Sequence, residues 1–160
     1  MSKETFITAA LGRRQVLKSV GLGALALAGA TVGTRNAHAT AEEATTYLSK
    51  MTGGATAKEG KVTVKLPEIA ENGATVPITI SVDSPMTDND YVKTVYIAAE
   101  GNPSPEVVSF NMSPAMGKAE VSTRMRLGKT QNVRAVAVMN DGSVYSGIKQ
   151  VKVTIGGCGG

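Results

Sequence analysis

The residue with the most distinctive chemistry in this sequence is its single cysteine, Cys158. Two glycines stand on each side of it, Gly156 and Gly157 before, Gly159 and Gly160 after. Because glycine loses the most conformational entropy on ordering, this pattern predicts a flexible arm with an exposed thiol. A thiolate can form a sulfur–sulfur bond, and an arm without bulky side chains can enter a narrow cleft of another protein. The pattern therefore predicts a covalent attachment site at the cysteine.

The same residues exclude several classes of site. One cysteine cannot form an intramolecular disulfide or a cysteine cluster for zinc or iron–sulfur centres. The only histidine, His38, lies in a predicted leader, so the chain without that leader has no imidazole for a catalytic triad. We expect a substrate carrier that is not itself an enzyme, with no catalytic residue, no metal and no cofactor. Partner enzymes would supply the catalysis.

The leader is recognised by three features in order. Arg13 and Arg14 precede a weakly apolar run at 20–32, and Ala37 and Ala39 then provide the small residues of a cleavage site. A run of about 13 residues is too short to span a membrane permanently. The adjacent arginines resemble the twin-arginine (Tat) export signal. We expect residues 1–39 to be a Tat signal peptide and the protein to be periplasmic.

The net charge of +4 is explained by the leader. Five of the 17 basic residues and one of the 13 acidic residues lie in 1–39, which leaves 12 of each sign. A chain without positive excess has little means of releasing counterions from nucleic acid. We expect neither nucleic acid nor membrane among its partners.

The positioning elements follow from hydrophobic periodicity. Residues 40–52 have helical spacing and are followed by two glycines, after which the apolar period changes to two. Strands are predicted at 62–66, 76–82, 91–99, 107–112, 119–127, 133–139 and 145–155. Seven short strands in this length favour an all-β, immunoglobulin-like β-sandwich. The predicted domain is 40–155, and 156–160 is the arm.

Three details of this sandwich are also predicted. Pro77, which cannot donate a backbone hydrogen bond, favours an edge strand. The shift in apolar phase near Gly147 favours a β-bulge. The run 140–143 favours a tight hairpin in which Gly142 has a positive φ.

Several segments together resemble the SoxY family, carrier subunits of the sulfur-oxidising Sox system. They are the Tat-like leader, the small sandwich, 83–87, 102–105, 122–126 and the Gly-Gly-Cys-Gly-Gly ending. The resemblance implies a stable heterodimer with SoxZ and one functional residue, Cys158. It also implies that the SoxAX cytochrome joins thiosulfate to that thiol as an S-thiosulfonate. The SoxB hydrolase then releases sulfate, and the SoxCD dehydrogenase oxidises the remaining sulfane sulfur.

Two other interpretations are compatible with the residues. The chain could be a structural or interaction module of the periplasm, dimerised through Cys158. It could also bind copper(I) through that thiol and soft thioether sulfurs. The methionines concerned are Met86, Met112 and Met116.

Overall fold

The structure, a computed structural model, describes residues 40–154. Leu48 and its neighbours form one helix, α1, Ala41–Met51. The strands in chain order are β1 Lys58–Glu59, β2 Val62–Lys65, β3 Ile69–Ala70, β4 Val76–Val82, β5 Val92–Ala99, β6 Glu106–Asn111, β7 Glu120–Met125, β8 Gln131–Met139 and β9 Val144–Val153. A 3-10 helix, Pro114–Met116, precedes β7.

The strands form two sheets. One has the order β1-β9-β8-β5-β6, with β3 also paired to β9, and the other has the order β2-β4-β7. Their apolar inner faces pack together into a core of aliphatic side chains, as the low aromatic content requires. The predicted immunoglobulin-like β-sandwich is confirmed. Two strands were missed, β1 and β3, because a run of two residues carries no periodicity that a sequence pattern can detect.

The predicted helix is confirmed, and its start is fixed by a capping box. The Glu43 N–H donates to Thr40 Oγ1 at 3.2 Å, and the Thr40 N–H donates to Glu43 Oε2 at 3.0 Å. After the helix, Gly53 and Gly54 have φ of 66° and 81°, which glycine adopts without strain. The buried face of α1 includes Leu48 and packs on the outer face of the larger sheet.

Strand β8 is apolar on both faces because both are covered. It lies between β9 and β5, and its inner residues Val133 and Ala135 contribute to the core between the sheets. Its outer residue Val136 packs against α1 through Ala44 and Leu48. The strand predicted at 133–139 is therefore a central strand that is buried on both faces.

Two of the detailed predictions are wrong. Strand β4, which contains Pro77, is the central strand of its sheet and not an edge strand. Proline is tolerated there because β2 pairs only with 79–82, so no β2 residue lies beside Pro77. At Gly147 the pairing with Ala135 continues without a bulge. Glycine is required there for another reason: a Cβ would lie 2.5 Å from the carbonyl oxygen of Val62, where the other sheet approaches.

The hairpin between β8 and β9 has the predicted form. Gly142 has φ of 82°, and the Ser143 N–H donates to Asp141 Oδ1 at 2.8 Å. Among the described residues, the helix falls well short of the length and apolarity needed to cross a bilayer.

Candidate functional site

The residues expected to carry chemistry lie outside the described part of the chain. These are the attachment cysteine, the glycines of the arm, the arginines of the leader and the alanines of its cleavage site, namely Cys158, Gly156, Gly157, Gly159, Gly160, Arg13, Arg14, Ala37 and Ala39. Ile155, the predicted end of the last strand, is also outside it. What the structure describes is the end of β9, from which the arm continues.

The end of β9 is held along one edge by β3. The two strands pair in parallel, with Ile69 beside Lys152 and Ala70 beside Val153. The Thr154 N–H donates to the Ala70 carbonyl at 3.1 Å, and the Thr154 hydroxyl lies 3.4 Å from the same oxygen. Backbone pairing thus continues to the last described residue.

On the opposite edge, which faces β8, the end of β9 is hydrogen-bonded to the hydroxyl group of Thr130. The Val153 N–H donates to Thr130 Oγ1 at 3.0 Å, and that hydroxyl lies 3.4 Å from the Val153 carbonyl oxygen. Thr130 directly precedes β8. Cys158 is four residues beyond Thr154, so an extended chain would place it up to about 14 Å away. The arm therefore starts from a point clamped on two sides.

A buried amide network stiffens the loops beside this point. Gln131 is 6% exposed; its Oε1 accepts the Gly101 N–H at 2.7 Å, and its Nε2 donates to Asn102 Oδ1 at 3.0 Å and to the Lys129 carbonyl at 3.1 Å. The Asn102 oxygen also accepts the Gly128 N–H at 3.1 Å. Because one amide cluster joins the β5–β6 loop to the β7–β8 loop, the residue before β8 is held in place.

We define the arm end of the sandwich as the loops 71–75, 100–105 and 126–130 together with Thr154.

A shallow cleft of about 270 Å³ beside β9 is lined by residues of both charges and by the half-exposed Ile69. The remaining lining residues are Glu68, Lys149, Gln150 and Lys152. No serine, cysteine or histidine is among these lining residues.

The shifted pKa values belong to groups away from the arm end. Hydrogen bonds from the Ser143 hydroxyl and N–H lower the pKa of Asp141 in the β8–β9 hairpin. Backbone hydrogen bonding at the start of α1, followed by a hydrogen bond with Thr40, lowers the pKa of Glu42. Burial raises the pKa of Tyr47, with a smaller contribution from a neighbouring carboxylate. Within 40–154, no three His, Cys, Asp or Glu side chains are grouped to hold a metal ion.

The three methionines considered for copper are at the opposite end of the sandwich. Met86 is 4% exposed and its sulfur accepts the Val92 N–H at 3.5 Å, and Met112 is also in the core. Met116 is exposed in the 3-10 helix. Since β9 runs the length of the sheet over ten residues, this end is about 30 Å from Thr154. The structure does not bring these sulfurs to the start of the arm.

The sequence interpretation did not identify the residues that fix the arm. Thr130 and Gln131 stand at the start of a strand with no local signal of their long-range partners, which are 23 and 30 residues away. Asn102 was recognised only as a turn residue. The sequence did contain one signal. Gln131 is polar, yet it occupies one of the inward-facing positions in the apolar alternation of its strand.

Comparisons with known proteins identify a family and a shared fold. The family model described as "Sulfur oxidation protein SoxY" matches residues 48–158. The solved structure of the sulfur carrier protein SoxY from Chlorobium limicola f thiosulfatophilum is 37% identical, with a TM-score of 0.62 over 72% of this chain and 100% of that chain. Superoxide reductase (neelaredoxin) from Ignicoccus hospitalis is 18% identical, with a TM-score of 0.52 over 59% and 81% of the chains. At that identity the likeness concerns the fold alone. Curated protein sequences gave no match.

The fold and the clamped strand end define an immunoglobulin-like sandwich domain that continues into a C-terminal extension. Because the family model covers more than half of the chain, and the solved relative shares more than a third of its residues, the chain belongs to the SoxY family of sulfur oxidation proteins. The predicted family resemblance is confirmed.

Proposed function

We propose that this protein is a covalent carrier of sulfur intermediates in thiosulfate oxidation, with Cys158 as the attachment residue. The observation that carries the proposal is the clamp on Val153 and Thr154, which ends four residues before the cysteine. A carrier needs a rigid domain that partner enzymes can recognise. It also needs a flexible arm that starts from a fixed point on that domain, so that the thiol can reach the active site of the bound enzyme. Family membership over 48–158, which includes the cysteine, supports the same role.

The chemistry follows from the thiol. Cys158 loses a proton, and its sulfur bonds to the sulfane sulfur of thiosulfate; the two electrons released would be taken up one at a time by the SoxAX cytochrome, the oxidant of this step. Water then attacks the terminal sulfonate sulfur; SoxB catalyses this step, which releases sulfate and leaves a persulfide on the cysteine. SoxCD oxidises that sulfane sulfur to a sulfonate, with water supplying the oxygens and the electrons passing through the dehydrogenase to an electron acceptor. A second hydrolysis then releases sulfate and restores the thiol. The carrier domain itself contributes no catalytic residue in this scheme.

The direct test removes the thiol and keeps the fold. Cys158→Ser should abolish thiosulfate-dependent electron transfer with reconstituted partners, because a hydroxyl group cannot form the sulfur–sulfur bond. Urea denaturation of the same variant should be unchanged. Full turnover by the Ser variant would end the carrier proposal.

A second variant separates access from reactivity. Replacing Gly157 and Gly159 with Val widens and stiffens the arm. We expect the thiol to react normally with a small alkylating reagent and slowly with partner enzymes. An equal loss in both assays would contradict the role of the glycines as a narrow tether.

We also propose that the protein is exported by the Tat pathway to the periplasm and forms a heterodimer with SoxZ. The Arg13-Arg14 pair and the Ala37 and Ala39 site support export, and family membership supports the partner. Intact-mass analysis of protein purified from its native source should find a chain starting near Thr40 together with a second small protein. A monomer that retains the leader would contradict both.

A further inference from the structure

An exposed apolar side chain lies beside the point from which the arm starts. Ile69 is 56% exposed, the highest value for a large apolar side chain within residues 40–154. It belongs to neither of the two apolar clusters of the domain, and in β3 it lies beside Lys152, two residues before Thr154. A single exposed isoleucine is ordinary on a protein surface, so the significance of this one depends on its position.

The position of Ile69 is fixed by backbone pairing on both sides of it. The Glu68 carbonyl accepts the Lys152 N–H at 2.9 Å, and the Ala70 carbonyl accepts the Thr154 N–H at 3.1 Å. Since Ala70 faces the core, the side chain of Ile69 points to the opposite, outer face of the larger sheet. A side chain whose backbone is already ordered loses less entropy when a partner covers it.

Ile69 borders the shallow cleft of about 270 Å³ beside β9. The cleft lies where this edge of β9 is open, between the pairing of β1 at Ser146 and that of β3 at Lys152. Two lysines and one glutamate line it, which leaves one excess positive charge, and none of the three forms a salt bridge within residues 40–154. An apolar centre with a polar rim is typical of a protein-binding surface. We call it the Ile69 surface; its residues are Glu68, Ile69, Lys149, Gln150 and Lys152.

The length of chain after Thr154 indicates what this surface meets. Cys158 can be at most about 14 Å from Thr154. When the thiol enters a cleft of an enzyme, much of that length lies inside the cleft, so the rim of the cleft comes against the surface where the arm starts. Ile69 is about 7 Å from Thr154 along the strand direction, whereas Ile148, six residues before Thr154, is about 20 Å away.

We propose that the Ile69 surface docks the entrance of the cleft through which a partner enzyme receives Cys158, with Ile69 as the apolar anchor. The occupant is an enzyme whose cleft entrance has an apolar contact and an excess of carboxylates, complementary to the lysines. This inference rests on the proposed carrier function. Because the contact forms outside the active site, it strengthens the complex before and during the chemical step alike, so it lowers KM and leaves kcat unchanged.

The test uses the full chain with any subunit that accompanies it. The Cys158 thiolate attacks a central sulfur of tetrathionate and displaces thiosulfate, which leaves the S-thiosulfonate on the arm. Sulfate release by the hydrolase of the proposed scheme is then measured against the concentration of loaded protein. Ile69→Thr keeps a β-branched residue in the strand but removes the apolar contact. It should raise KM about fivefold with kcat unchanged.

Two control variants separate the anchor from a general effect. Ile148→Thr makes the same change at a similar exposure, 52%, on the same face of the sheet, and should change KM less than about twofold. Ile69→Leu retains an apolar side chain and should restore KM to within about twofold of the unchanged protein. In all three variants the urea midpoint and the rate of alkylation of Cys158 by a small reagent should be unchanged. The KM of the unchanged protein should rise with ionic strength, because the paired surfaces are opposite in charge.

The outcomes separate the docking surface from the carrier function. If the unchanged loaded protein is hydrolysed and Ile69→Thr has the same KM, or if Ile148→Thr raises KM equally, the docking surface is overturned and the carrier function stands. Loss of an accompanying subunit from Ile69→Thr would assign the surface to that subunit and overturn the proposal. If the unchanged loaded protein is not hydrolysed at all, the carrier function fails, and the docking surface fails with it.

Discussion

Gln131→Ala tests whether the buried amide network holds the arm end together. The substitution removes the acceptor of the Gly101 N–H, a 2.7 Å bond in a buried position, and two donor bonds of Nε2 at 3.0 and 3.1 Å. A buried N–H without an acceptor costs about 1–3 kcal/mol, and each lost neutral bond about 0.5–1.5 kcal/mol. The freed side-chain entropy returns about 1–2 kcal/mol. The expected loss in the free energy of unfolding is about 2–3 kcal/mol.

The assay is urea denaturation followed by far-ultraviolet circular dichroism. With a typical urea dependence for a domain of this size, the midpoint should fall by about 1–2 M. The matched control is Gln150→Ala, which deletes the same side chain from an exposed position on the adjacent strand, opposite Asn132. That variant should stay within about 0.5 kcal/mol of the unchanged protein. A loss below 1 kcal/mol for Gln131→Ala, or equal losses for both variants, would refute the assignment of the network as a structural element.

Two further changes test other parts of the sandwich. Gly147→Ala places a Cβ 2.5 Å from the Val62 carbonyl oxygen and should destabilise the domain by about 1–3 kcal/mol in the same urea assay. The control is Gly128→Ala, which should not destabilise the domain because the new methyl group lies in open space. Equal destabilisation by the two variants would count against the close approach of the two sheets. The Asp141 carboxylate should titrate by NMR below its ordinary pKa of 3.8, because Ser143 donates to its charged form. The charged Asp141 carboxylate therefore stabilises the folded domain at pH values above 3.8, and this stabilisation is lost as the pH falls through the lowered pKa. Asp141→Asn should remove this pH dependence.

The sequence by itself determined the fold class, the helix and most strands. Alternating apolar residues such as Val76, Ile78 and Ile80 can bury one face only as a strand, and a continuous apolar run such as 133–139 requires cover on both faces. These are local patterns with a fixed period, so a single sequence displays them. The predicted hairpin at 140–143 followed from local chemistry in the same way.

Only the tertiary structure decided how the end of β9 is held. Ala70 is hydrogen-bonded to Thr154 across 84 residues, and Thr130 is hydrogen-bonded to Val153 across 23 residues. No local pattern encodes such partners. The same holds for Pro77 and Gly147, whose roles depend on where β2 ends and how closely it approaches the other sheet. The cysteine could be chosen from residue types alone, because its flanking glycines are local. The clamp could not, because Ala70, Thr130 and the end of β9 come together only when the strands of the larger sheet pair.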